Sequence, residues 1–255
     1  MTVGEIASLT GAEPLAGADV TRSISNIAPI DRAGPSDLTF LESAKFAEAM
    51  ASCRAGALLT TARFAGLYGV WYPHARDDRS FIQALLVQCR AVVLCMREIR
   101  KVNPNAKLVQ TDDLSRTYGT PEMAEIANFF NERRWLGWDL LCGKVDEQHA
   151  LWNYLLENEA TAEELLWFKE NPCPPDIIGV NYYITSERWL DHRLERYPES
   201  RRTQYRGIPH ADIECPRVLA TPTPGVGPLL QETWDRYGLP IAITEAHIDA
   251  NREDQ

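Results

Sequence analysis

Two stretches of the chain end in side chains able to do acid–base or nucleophilic chemistry. Residues 176–183, DIIGVNYY, finish with Asn181 and Tyr183, and residues 240–247, PIAITEAH, finish with Glu245 and His247. The first is a nearly continuous apolar run, the pattern of a parallel strand buried on both faces. Polar groups at the C-terminal ends of such strands face the open mouth of barrel enzymes, where the chemistry is done. Alternation along the second run predicts that Ile241, Ile243, Glu245 and His247 share one face, so that Glu245 continues an inward-pointing row. A carboxylate so placed can attack an electrophilic carbon or carry a proton. The same spacing also fits a solvent-exposed strand-end glutamate with no chemical task.

Other reactive residue types are less suggestive. The six cysteines contain no C-x-x-C pair, the five histidines are dispersed, and Glu245 with His247 is too sparse for a metal site. No metal and no bound cofactor are expected, the thiols are expected to be reduced, and Cys89 and Cys95 read as core positions of a helix.

Alternating helices and strands must position the two strand ends. Ser80 is expected to cap a helix whose apolar residues from Phe81 to Ile99 recur every three or four positions and which stops before Pro104. A buried strand follows at 106–110, then a helix opened by Thr120 and Pro121, another at 148–156, and a third opened by the capping box Thr161 and Glu164. Residues 188–206 read as a long charged surface loop. A helix at 228–237 capped by Gly238 leads into the last strand, 240–244. Ahead of all this, Thr2 and Glu5 form a capping box, and three short strands (23–30, 38–41, 56–60) with a helix at 45–53 make a small α/β unit. The predicted class is α/β, with a small domain over residues 1–64 and a parallel α/β segment over 65–255.

Charge and hydropathy narrow the partners. A net charge of −10 and a pI near 5.1 argue against a nucleic-acid backbone, which needs clustered basic residues. No window reaches the roughly 20 apolar residues of a membrane span, so a cytoplasmic chain is expected. Nothing in the sequence fixes an oligomeric state.

The first segment, TVGEIASLTGAEPLAGAD followed by ISNIAPIDRAGPSDLTFLESAKFAEAMASCRAGALL, resembles the non-repeat N-terminal domain of UDP-3-O-acylglucosamine N-acyltransferases of lipid A synthesis. The resemblance implies a uridine site on a UDP-sugar, with Phe40 and Phe46 as the rings lying against the base, and Ser43 where the family often has Asn. Two core phenylalanines of a small domain would have the same spacing. The family's catalytic histidine sits on hexapeptide repeats, and no six-residue period follows residue 65. Acyl transfer is therefore not implied.

The remainder resembles family 1 glycoside hydrolases, in the bacterial group associated with dTDP-4-dehydrorhamnose reductase domains. The likeness runs from TTARFAGLYGVWYPHARDDRSF through VQTDDL, NERRWLGWDLLCG, DIIGVNYYITSERWLDHRLERYP and YGLPIAITEAH. It implies a (β/α)8 TIM barrel acting on a small-molecule sugar. Glu245 then matches the nucleophile ending strand seven, with Ala246 and His247 where Asn-Gly is commoner. Asn181 and Tyr183 match the strand-six pair, a substrate contact and the tyrosine that orients the nucleophile. The family's N-E-P motif at the end of strand four falls on Gly56, Ala57 and Leu58, so its acid/base position is Ala57. Strands one to three and strand eight have no counterpart, and residues 56–60 stand in at most for the end of strand four. The expectation is an incomplete barrel, with open edges and an uncovered apolar face, and an enzyme inactive or impaired for want of its acid. The joint, TTARFAG, is compatible with either parent. Recombination, an assembly join and an engineered chimera are equally compatible with it.

Overall fold

A computed structural model describes residues 1–10, 19–28, 32–41, 53–55, 57–60, 75–221 and 223–247. In chain order they form α1 (Val3–Thr10), β1 (Asn26–Ile27), β2 (Asp37–Leu41), β3 (Ala57–Thr60), α2 (Asp78–Val102), β4 (Val109–Asp113), β5 (Thr117–Gly119), α3 (Ala124–Arg133) and α4 (Leu136–Leu141). There follow α5 (Trp152–Glu157), α6 (Ala162–Glu170), β6 (Ile177–Tyr183), β7 (Arg188–Asp191), β8 (Arg202–Tyr205), β9 (Ile208–Glu214), α7 (Val226–Tyr237) and β10 (Ile241–His247). The chain packs as two compact units, residues 1–106 with 143–173, and residues 107–142 with 174–255. The change of resemblance after residue 64 falls inside the first unit.

In the first unit the capping box forms as expected. Thr2 Oγ1 accepts from the Glu5 N–H at 3.1 Å, and the Glu5 carboxylate accepts from the Thr2 N–H at 2.7 Å. Strands β1, β2 and β3 pair in parallel in that order. Residues 57–60 thus extend the sheet of β2, with Ala57 opposite Leu38. They do not add a strand to the sheet that carries Asn181 and Glu245, so the strand-four stand-in expected from the sequence is not formed. The helix expected over 45–53 lies almost wholly outside the described residues.

Helix α2 is capped by Asp77 rather than Ser80, with Asp77 Oδ1 accepting the Ser80 N–H at 2.7 Å. A carboxylate at the N-cap also faces the positive end of the helix dipole. The helix buries Phe81, Ile82, Leu85, Leu86, Cys89, Val93 and Met96 along one stripe. Cys95 is exposed, because six residues advance about 600°, well off the face of Cys89. By length and apolar content this helix could cross a membrane, contrary to the sequence expectation. Its buried stripe, and the Tyr154 hydroxyl donated to Asp78 at 3.0 Å, show that face already engaged within the unit. The capping box at Thr161 and Glu164 opens α6 as predicted.

The second unit holds two sheets. One is wholly parallel, in the order β10-β6-β4; the other, β5-β7-β9-β8, is mixed. Strand β4 begins three residues after the expected one, since Ala106 first closes a turn by donating to the Asn103 carbonyl at 3.0 Å. The loop expected over 188–206 contains strands β7 and β8. Strand β7 pairs with β9 some 24 residues on, where Arg188 is held by Asp212 at 2.7 Å, whereas β8 turns directly into β9 through Arg206 and Gly207, both at positive φ. No local alternation signals such pairing, because β8 is an edge strand whose residues 202–204 are all exposed.

One face of the β10-β6-β4 sheet is the core. Leu114, Trp135, Trp138, Ile178, Val180, Tyr182 and Leu229 are buried together, with Ile241 and Tyr237 packed against them. Asp139, fully buried, holds the α7 end in place. It accepts two bonds from Arg236, at 3.0 and 2.6 Å, and one from the Tyr237 hydroxyl at 2.9 Å. Gly238, at φ 62°, then lets the chain leave α7 and enter β10.

Candidate active site

The register of β10 against β6 decides which side chains meet. Ile241 lies opposite Ile178 and Ile243 opposite Val180, then Glu245 opposite Asn181 and His247 opposite Tyr183. Thr244 is the extra residue of a β-bulge. Partners in a parallel ladder point the same way, so Ile241 and Ile243 go with the core face, while Glu245 and His247 join Asn181 and Tyr183 on the other. Simple alternation had put all four β10 residues on one face. The bulge breaks that row between Ile243 and Glu245 and turns the carboxylate away from the core.

Thr244 joins the same face. Its hydroxyl donates to Asn181 Oδ1 at 2.7 Å. A Cβ at Gly179 would lie 2.6 Å from Thr111 Cγ2 and 3.1 Å from Thr244 Cγ2. Only a glycine there lets β4 and β10 close over β6 on this side. Asn181 and Tyr183 follow Gly179 on that side of β6, and Thr111 and Asp113 flank them on β4. The open side is thus mixed: polar at the strand ends, but with Val109 exposed on the same face, while Ile243 on the other is also 48% exposed, in line with the uncovered apolar surface expected.

The Tyr183 hydroxyl donates to Glu245 Oε2. This fixes one carboxylate oxygen and leaves the other directed to solvent, for Glu245 is exposed. The Tyr183 and His247 rings lie with centroids 6.4 Å apart at 45°. Of the residues singled out in the sequence, the structure thus brings together Asn181, Tyr183, Glu245 and His247. Phe40 is placed in β2 by its backbone, opposite Leu59; its side chain and the whole of Phe46 lie outside the described residues. Among the described residues no group of three or more His, Cys, Asp or Glu side chains could hold a metal ion.

A second tyrosine–glutamate pair went unread in the sequence. Tyr182, on the core face, donates to Glu187 Oε1 at 2.8 Å, and Glu187 is fully buried. Its Oε2 has no hydrogen-bond partner among the described residues. Burial, then the bond to Glu187, pushes the Tyr182 hydroxyl well above the ordinary tyrosine range. Burial and the Glu187 charge push the nearby Cys215 thiol up to about 12. The Tyr182 hydroxyl and the Cys215 thiol therefore stay protonated near neutral pH, and both side chains are buried.

A cleft of about 1080 Å³ lies elsewhere in the second unit, lined among others by Arg116, Tyr118, Trp189, Glu232 and Arg236. Its charges are largely paired: Glu232 accepts from Arg116 and Arg134, and Arg236 is held by Asp139. None of Asn181, Tyr183 and Glu245 lines it.

Comparison with known proteins gives different answers for different parts of the chain. Residues 21–70 match the family model of UDP-3-O-(3-hydroxymyristoyl) glucosamine N-acyltransferase, LpxD. UDP-3-O-acylglucosamine N-acyltransferase 2 of Rhodopseudomonas palustris (strain BisB18) is 54% identical over 67 residues, 26% of this chain and 18% of that protein. The corresponding enzyme of Methylobacterium sp. (strain 4-46) is 45% identical over 65 residues, again 18% of its length. By structure, the chain resembles the family 1 β-glucosidase of Thermotoga maritima, with TM-score 0.54 and 15% identity, over 83% of this chain and 49% of that one. The same enzyme in complex with noeuromycin aligns with TM-score 0.54 over 54% of its chain. The chain spans under a fifth of the curated relatives and about half of the solved structures. At this identity the second likeness is one of fold. The matched fractions overlap, so part of the N-terminal region is covered by both likenesses.

Proposed function

We propose that the open face of the β10-β6-β4 sheet is a glycosidase-type site, a partial counterpart of the family 1 barrel that acts on a sugar. Glu245 is the carboxylate that works at the anomeric carbon, Tyr183 orients it, and Asn181 contacts a sugar hydroxyl. The observation that carries this reading is the hydrogen bond from Tyr183 to Glu245 across adjacent strand ends. A positioned carboxylate with one oxygen held and one exposed is the form a nucleophile or base requires. Ala57, which the resemblance puts at the family's acid position, can neither give nor take a proton and lies on the sheet of β2, so turnover of ordinary glycosides is severely impaired. An activated aryl glycoside needs little protonation of its leaving group. Slow aryl release, abolished by Glu245→Ala, is the expected result; no release at all would end the reading.

A second reading is favoured by the 54% identity at the N-terminus: a UDP-sugar-binding module using Phe40 and Phe46. Aromatic faces suit a uracil ring. Uridine or UDP should then raise the thermal midpoint of the protein, and Phe40→Ala should remove that shift. Absence of any shift in the unaltered chain would count against it.

A further inference from the structure

The cleft of about 1080 Å³ in the second unit is built from the edge strand β5, the facing side of α3, the turn from α3 into α4 and one side of α7. Tyr118 on β5 and Trp189 on β7 are register partners in a parallel ladder, so their rings stand side by side on one side of that sheet. Asn131 closes the free edge of β5. Its amide oxygen accepts from the Thr117 N–H at 2.9 Å, and its amide nitrogen donates to the Thr117 carbonyl at 2.7 Å. A peptide strand therefore cannot add to the edge at Thr117.

The lining sets the guanidinium groups of Arg116, Arg134 and Arg236 against the carboxylates of Glu132, Glu232 and Asp235. Glu232 is shared by Arg116 and Arg134, Arg236 is fixed by two bonds to buried Asp139, and Glu132 lies 3.6 Å from Arg236. The lining thus has no surplus charge of either sign. An anion would have to displace Glu232 from its arginines, and a cation would have to displace the arginines from Glu232. Arg134 and Arg236 also lie against the Trp135 ring, 4.6 and 5.6 Å from its centroid. Their planes are fixed before a ligand arrives, so little side-chain freedom is lost on binding.

We propose that this cleft binds a neutral oligosaccharide, at a site separate from the strand ends and independent of the reading of Glu245. An uncharged sugar enters a balanced lining without unpairing any ion. Each sugar hydroxyl both donates and accepts, which matches walls that hold N–H donors and carboxylate acceptors together. The paired ions keep part of that capacity, since a guanidinium carries more donors, and a carboxylate more acceptor sites, than one ion pair consumes. The C–H face of a sugar ring is apolar and suits contact with Tyr118 and Trp189, both half-buried. Asn128 and Asp235, both exposed, add an amide and a carboxylate to the lining. Volume argues for more than one ring: about 300–1,000 Å³ takes a drug-sized molecule, and this cleft exceeds that range.

The test uses the full chain carrying Glu245→Gln, so that no sugar is cleaved at the strand ends. Cellotetraose, maltotetraose, glucose and inorganic phosphate are titrated in turn, followed by calorimetry and by proton–nitrogen NMR correlation spectra. At least one of the two tetrasaccharides should bind at a single saturable site with millimolar or tighter Kd, and bind more tightly than glucose. The signals that move should include the side-chain amides of Asn128 and Asn131 and the indole of Trp189. Replacing both Asn128 and Asp235 by alanine removes two exposed polar groups and should weaken the tetrasaccharide about tenfold or more. Trp189→Ala should weaken it as well, with thermal midpoints establishing that each variant folds. No saturable binding of either tetrasaccharide, equal affinity for glucose, or an unchanged affinity in the Asn128 and Asp235 double variant would overturn the proposal. So would shifts confined to Asn181, Tyr183 and their neighbours, which would place the sugar at the strand ends. Saturable binding of phosphate at the cleft residues would overturn it in favour of an anion site.

Discussion

Tyr182 and Tyr183 are neighbours on β6, and each gives its hydroxyl to a glutamate. The two pairs differ in almost everything else. Tyr182 and Glu187 are sealed on the core face among Leu114, Ile178 and Val180. Tyr183 and Glu245 stand at the open side, where Glu245 is exposed. A strand places adjacent side chains on opposite faces, so one step along the chain separates a structural bond from one available for chemistry. The type of bond therefore says little about its role. Its access to solvent and its neighbours say more.

Mutagenesis can break this contrast or sharpen it. The largest effect is expected for Glu245→Gln, which should reduce aryl glycoside turnover by more than about 10³-fold with little change in thermal midpoint. A fall in midpoint as large as that of a core variant would erase the distinction between the two faces. Tyr182→Phe should do the reverse and cost about 2–3 kcal/mol in urea unfolding, because buried Glu187 loses a hydrogen bond it cannot replace with water. Turnover per folded molecule should be unchanged. Tyr183→Phe should lower turnover about tenfold, about 1.4 kcal/mol in the barrier, and leave unfolding within about 0.5 kcal/mol.

The smallest effect concerns pH. Asp191, another fully buried carboxylate of the second unit, is held well below the usual carboxylate range, chiefly by hydrogen bonds from Arg193 and then from Tyr197. Its folded pKa lies under the unfolded value of about 3.9, so the stability it contributes is present above about pH 4 and is lost as pH falls toward the folded value. Urea midpoints followed from pH 5 to pH 2 should fall less steeply in Asp191→Asn than in the unaltered protein. Parallel curves would show that Asp191 is not responsible for the acid limb.

The strand ends were legible in the sequence because polar residues interrupt strongly apolar runs, and Asn181, Tyr183, Glu245 and His247 do lie together. The face assigned to Glu245 by alternation, with Ile241 and Ile243, was wrong. No glycine or proline marks the bulge at Thr244, so period-two reading carried Glu245 onto the side of Ile243. The expected strand stopped at residue 110, three short of the observed end, so Thr111 and Asp113 were not placed beside Gly179 and Asn181. Strands β7 and β8 were hidden for another reason. For β7 what makes it a strand is pairing with distant β9 and β5, a tertiary choice that overrides local propensity; for β8 the Arg206-Gly207 turn into β9 was a local hairpin signal that the charged composition masked. Capping boxes, which need only a hydroxyl and a carboxylate three residues apart, were read correctly at both Thr2 and Thr161.

Gly179 carries no functional group, yet it acts as a spacer gauge for those that do. With a hydrogen in place of a methyl, the side chains of Thr111 and Thr244 from the two flanking strands occupy the space a Cβ would fill. An alanine there would wedge β4 outward before it disturbed any polar atom. The fit of three strands that end in polar side chains is thus set from a position that has no side chain of its own.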